Sequence, residues 1–144
     1  MLRSPTAVLF LFALGLLAIA GVQGRATTDE KGSQHVFELR TYYTHDGKLV
    51  DLHKRFRDHT CALLEKHGAK LIGFWTPQDE KEGKTSKLIY LVSFPSREAA
   101  VKTWKEFGQD PAWQKAKAES EKNGPIVQKV DSVFLDPTDY SAIK

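Results

Sequence analysis

The amino-acid sequence predicts an α+β fold, a ferredoxin-like antiparallel sheet with helices on one face, in the order β-α-β-β-α-α-β. Three observations predict it. Residues 48–67 carry apolar side chains at helical spacing, between segments whose alternation is that of strands. Two of the later strand segments, 71–75 and 88–94, are apolar on both faces. Two helix starts then follow one another with no strand between them, at Ser96 and at Asp110-Pro111.

The chain has 144 residues, one domain by length, and is 41% hydrophobic and 27% charged. Those values exclude a disordered polymer, a collagen-like repeat and a multi-span membrane protein. The apolar residues crowd toward the start, 16 of them within residues 1–24. That segment reads as a cleaved secretory signal peptide. Arg3 supplies the positive charge, residues 7–22 carry no charge, and small residues around Gly24 offer a cleavage point, with Ala18-Ile19-Ala20 as a second. The alternative is a retained anchor, but the uncharged run falls short of the roughly 20 residues a bilayer requires. The leader implies a secreted or periplasmic protein. Residues 25–34 read as a flexible linker, 35–141 as the folded domain and 142–144 as a tail. Removing Arg3 takes the formal net charge from +3 to +2, too balanced to imply nucleic acid or an anionic membrane as partner. Cys61 is the only cysteine, so an exported domain of this size must hold together by packing, including packing between chains.

Residues 35–43 (HVFELRTYY) are rich in aromatic and β-favouring side chains and read as a strand. Phe37, Leu39, Thr41 and Tyr43 take one face, and Val36, Glu38, Arg40 and Tyr42 the other. A turn at 44–47 leads into the helix 48–67. There Leu49, Leu52, Phe56, His59, Leu63 and His67 fall within about 80° of one another at roughly 100° per residue, and Gly68 supplies the stop. Strands 70–76 and 87–94 follow, joined by an exposed, charged hairpin loop. Ser96 caps a helix ending near Phe107-Gly108. Asp110 caps the next, with Pro111 in its first position, and this one runs to about Asn123-Gly124. Residues 127–135 form the last strand, closed by Asp136-Pro137. Helices cover only one face of such a sheet, yet its central strands are apolar on both. A second copy of the same sheet is the simplest cover, so a homodimer with two sheets face to face is expected.

His59 sits in the middle of the predicted apolar stripe. It is either a hydrogen-bonded core residue or the polar group of a pocket, as general base or ligand contact. His67 reads as a helix-end cation beside the terminal carbonyls. Arg40 either pairs with Glu38, two residues away on the same face, or joins Tyr42 in lining a pocket for an anionic or carbonyl group. Trp75, Trp104 and Trp113 read as core or interface, with Trp75 the best pocket wall. Cys61 reads as a small helix residue. No metal site is expected: His59 and His67 stand about 12 Å apart along a helix, and no HxxxH pair, cysteine pair or carboxylate cluster is present. Neither a nucleophile elbow nor a phosphate-binding or dinucleotide-binding glycine pattern occurs.

The segments Phe37-Glu-Leu-Arg40-Thr-Tyr42, Gly47-Lys48, Phe56-Arg-Asp-His59, Lys66-His67-Gly68 and Leu71-Ile-Gly73-Phe-Trp75 together resemble the NIPSNAP domain. So do Leu91, Phe94-Pro-Ser96-Arg97-Glu98, Asp110-Pro111-Ala-Trp113-Gln114, Leu135-Asp-Pro137 and Ser141. The resemblance spans residues 36–141. It implies a dimeric α+β barrel, in a superfamily that includes small monooxygenases, isomerases and haem-handling proteins. The NIPSNAP family itself has no well-established reaction. Its animal members are linked to mitochondria and vesicle trafficking, roles that the secretory leader and single domain copy do not match. An exported single-domain chain looks more like a bacterial member.

Two functions follow as expectations. The first is a homodimeric binding or assembly module with a small apolar ligand pocket between the first helix and the sheet, lined by Arg40, Tyr42, His59 and Trp75. The second is a cofactor-free monooxygenase or isomerase, with His59 as the proton-transfer group and Arg40 and Tyr42 stabilising an oxyanion. No cofactor is expected from the residues, and haem at His59 rests on superfamily analogy alone.

Overall fold

Strand β1 (Val36–Thr44) pairs antiparallel with β3 (Lys87–Phe94) on one side and β4 (Val127–Leu135) on the other. β2 (Lys70–Trp75) pairs with the outer edge of β3, giving the sheet order β2-β3-β1-β4. The computed structural model describes residues 35–144. The leader and linker assigned to residues 1–24 and 25–34 lie outside the described residues.

Helix α1 (residues 49–66) follows β1. α2 (Arg97–Gln109) and α3 (Pro111–Ser120) separate β3 from β4. The helix starts form as the sequence predicts. Ser96 Oγ accepts from the Ala99 backbone N–H at 3.2 Å, and an Asp110 side-chain oxygen accepts from that of Ala112 at 2.8 Å. α3 stops at Ser120, short of Asn123-Gly124, and residues 121–124 form turns. The loop between β2 and β3 is mostly exposed, as expected, and contains one 3-10 turn, Glu80–Glu82.

All three helices pack on the sheet face that carries Glu38, Arg40 and Tyr42. The core there is Leu49, Leu52, Phe56 and Leu64 from α1 against Leu88, Tyr90, Val92 and Phe94 from β3. Phe56 meets Tyr42, Phe74 and Tyr90 edge-on at 5.3–5.9 Å between centroids, and Phe74 stacks on Tyr90 at 5.3 Å. Such pairs add directional attraction to the burial of their area.

α1 departs from uniform α-helix in one place. Residues Phe56–Thr60 make a π turn, between α-helical Leu49–Arg55 and Cys61–Lys66. The π turn takes in one residue more than an α turn, so the inward face moves on by one position. Thr60 and Leu64 are buried where His59 and Leu63 were expected; His59 is exposed and Leu63 half-buried. The sheet-facing position predicted for His59 is therefore corrected.

Among the described residues, the opposite face of the sheet carries no helix. Strand register places Leu39, Ile89, Leu91 and Val133 side by side on it, with Phe37 and Leu135 at one end and Trp75 at the edge. Val133 is 53% exposed and Trp75 52%. The expectation that β3 is apolar on both faces is met. The chain end beyond β4 returns to this side, where Pro137, Thr138, Ser141 and Ile143 form a cleft with Phe37 and Leu91.

Candidate functional site

A cleft of about 360 Å³ opens between α1 and the β2 edge of the sheet. His53, Phe56 and Cys61 line it from the helix, and Phe74, Trp75 and Leu88 from the strands. Its floor is the edge of the aromatic cluster under Phe56. Trp75 borders the cleft from the sheet edge, and its indole lies across Gly73 on the face opposite the helices: a Cβ at Gly73 would stand 2.5 Å from Trp75 Cη2, so only glycine allows that placement. Burial, and then the charge of Arg57, holds the His53 imidazole below its ordinary value, which keeps it neutral around pH 7. Burial, with a further push from the Glu65 carboxylate, raises the Cys61 thiol, so it is a poor thiolate nucleophile. The cleft is thus a recess with an apolar floor and a neutral imidazole, with Arg57 also in its lining, suited to holding a small, largely apolar molecule.

The four residues expected to share a pocket do not share one. Trp75 lines the cleft just described. Tyr42 lies beneath α1, its hydroxyl accepting from Tyr90 Oη at 3.3 Å, and it borders a different cleft on the β4 side. His59 faces a third, polar cleft between α1 and α3, with Asp51, Asp58 and Glu119.

Arg40 is held by structural partners. Its Nη1 donates to Glu38 Oε1 at 2.7 Å, and its guanidinium lies 4.1 Å from the centroid of Trp104. Of the two readings offered for Arg40, the geometry forms the ion pair. His59, being exposed, does not stand with Arg40 and Tyr42 under the helices. The expected arrangement of a proton-transfer group beside an oxyanion-stabilising pair is not assembled.

His67 also takes a different part from the one its helix-end position suggests. Its ring nitrogen Nε2 lies 2.8 Å from Asp110 Oδ2, and Lys66 Nζ donates to the same oxygen at 2.7 Å. Thr103 Oγ1 donates to the His67 backbone carbonyl at 2.7 Å. The end of α1 is thereby fastened to the α2–α3 corner. Lys66 first, then His67 and the Ala112 N–H, hold the Asp110 carboxyl far below the ordinary carboxylate range.

Sequence reasoning missed two residues that the fold brings into play. Arg55 is buried and reaches Glu121 Oε1 at 2.9 Å from α1. Its only local signal is its place about 40° from the edge of the apolar stripe, at roughly 100° per residue. His53, six positions before His59 and off the predicted apolar stripe, lines the cleft between α1 and β2.

The comparisons with known proteins agree with this architecture. A family model described as NIPSNAP matches residues 37–142. Among solved structures, a NIPSNAP family protein of unknown function from Agrobacterium tumefaciens superposes with a TM-score of 0.66 at 16% identity. That match covers 78% of this chain and 96% of the other. A second Agrobacterium NIPSNAP family protein gives 0.66 at 21% identity, covering 76% and 99%. An uncharacterized NIPSNAP domain protein from Burkholderia xenovorans gives 0.61 at 22%, covering 74% and 97%. No curated protein matches the chain.

Proposed function

The chain belongs to the NIPSNAP family, and from that premise we propose that it works as an exported homodimeric binding module. Two copies join sheet to sheet, and each holds a small apolar molecule in the cleft between α1 and the edge of its sheet.

The observation that carries this reading is the sheet face opposite the helices, which no helix covers among the described residues. Leu39, Ile89, Leu91, Val133 and Trp75 form a contiguous apolar surface on the side opposite the helices. A surface of that kind on a lone domain favours association. A second copy offers the same surface in a self-complementary arrangement, since a two-fold axis sets each patch against its equivalent. The cleft between α1 and β2 supports the binding half of the reading, through Phe56, Phe74 and the neutral His53. The leader-like pattern of residues 1–24 supports export.

Native mass spectrometry of the protein recovered from the extracytoplasmic fraction tests these parts together. It is expected to give a mass of twice the processed chain, with added mass from a co-purified small molecule. A monomer at micromolar concentration would refute the assembly, and a bare dimer that binds no apolar probe would refute the binding role.

A further inference from the structure

Between α1, α3 and β4 lies a cleft of about 360 Å³ whose walls combine a buried arginine with apolar surface. Tyr42, Arg55, Trp113, Lys117, Glu121 and Val130 contribute to it. We propose that this cleft binds a small organic acid, with the carboxylate on Arg55 and an apolar body against Trp113 and Val130.

The Arg55 side chain is 3% exposed, and burying a guanidinium is costly unless its donors are used. Among the described residues they are incompletely used. Both hydrogen bonds of Arg55 run from Nη1, to Glu121 Oε1 at 2.9 Å and to Ser120 Oγ at 3.3 Å. Its Nε is buried and has no partner among the described residues. A planar donor group with unused capacity at the wall of a cleft matches the geometry of a carboxylate.

The charge balance favours an anion. Arg55 and Lys117 bring two cations to the lining, and Glu121 one carboxylate. Glu121 engages the guanidinium only through Nη1, which leaves the buried Nε without a partner among the described residues. Arg55 also borders the polar cleft on its other side, where Asp51, Asp58 and Glu119 stand with Lys54 and no apolar side chain larger than that of Ala116 is offered. The apolar wall lies on the Trp113 side, where the guanidinium carbon is 5.3 Å from the ring centroid. The cleft lies on the helix side of the sheet, away from the open face. Its failure would leave the dimeric module standing, and failure of the dimer would leave this site standing.

The test follows the Trp113 indole N–H signal of the isotope-labelled full protein, assigned with Trp113→Phe, during titration with benzoate. Benzyl alcohol serves as the uncharged control and inorganic phosphate as the charge-only control. The expected result is a saturable shift with benzoate at millimolar or lower concentration, and binding at least about tenfold weaker for either control. Val130→Glu places a repelling carboxylate at the half-exposed rim of an edge strand and is expected to weaken benzoate by about tenfold or more. Arg55→Lys keeps the charge but loses the planar fork, and a similar loss is expected. If Arg55→Lys does not fold, Val130→Glu still decides the matter. Absence of saturation by benzoate, equal binding of benzyl alcohol or phosphate, or an unchanged response in Val130→Glu would each overturn the proposal.

Discussion

Trp104 Nε1 donates to Glu38 Oε2 at 2.5 Å, which ties α2 to the middle strand of the sheet through a carboxylate only 1% exposed. The other oxygen of Glu38 accepts from Arg40 Nη1 and from Ser132 Oγ. One acid thus joins a helix and an edge strand to β1. Glu38→Gln leaves the Arg40 charge without its counter-ion and is expected to cost about 3 kcal/mol, the lower end for a broken buried pair because Arg40 keeps some solvent contact. Trp104→Phe removes one charge-assisted hydrogen bond and is expected to cost about 1.5–3 kcal/mol. Urea denaturation of the two variants measures both.

The π turn in α1 predicts which positions tolerate truncation. His59→Ala alters an exposed side chain and is expected to change stability by less than about 0.5 kcal/mol. Leu64→Ala empties a fully buried site and is expected to cost about 2–5 kcal/mol. Thermal denaturation separates the two outcomes. A large loss at His59 with a small one at Leu64 would restore the regular helix that the sequence suggests.

That contrast shows how far the sequence was legible. Strand alternation and the caps at Ser96 and Asp110 are local patterns, and each appears where it was read. The face of α1 was read correctly through Phe56 and wrongly after it, because a fixed 100° step cannot register an extra residue in a turn. Arg40 could be paired with Glu38 because strand geometry alone brings them together. Arg55 could not be paired, because its partner Glu121 lies 66 residues away and meets it only through packing of α1 on α3. The same limit scattered the expected pocket: Arg40, Tyr42, His59 and Trp75 are related by sequence motif, while the clefts are made by elements far apart in the chain.

Acid sensitivity should report the clasp at Asp110. The partners Lys66 and His67 depress its carboxyl in the folded chain, whereas the unfolded chain titrates near about 3.9. The stabilisation is complete above that unfolded value and is lost as pH falls from there through the folded one. Melting temperatures measured from pH 6 downward are therefore expected to fall more steeply below about pH 4 in the natural protein than in Asp110→Asn. Parallel curves for the two would show that the clasp makes no linked contribution.

Gly73 governs where the Trp75 indole lies on the face opposite the helices. Gly73→Ala drives a Cβ into the indole, so the ring must leave the strand surface, at a cost of about 1–3 kcal/mol. The indole signal of Trp75 is expected to shift while that of Trp113, on α3, stays in place. An unmoved Trp75 signal would show that the ring has another resting place.

In the proposed dimer, the sheet face opposite the helices is closed by a second copy of the chain. Leu91 lies within that face, paired in register with Leu39 on β1 and Gly73 on β2. Sedimentation velocity of the processed protein, beside its Leu91→Glu variant, tests this closure directly. A dimer at micromolar concentration is expected for the natural protein and a folded monomer for the variant. A natural protein that sediments as a monomer, or a variant that remains dimeric, would contradict the proposed assembly.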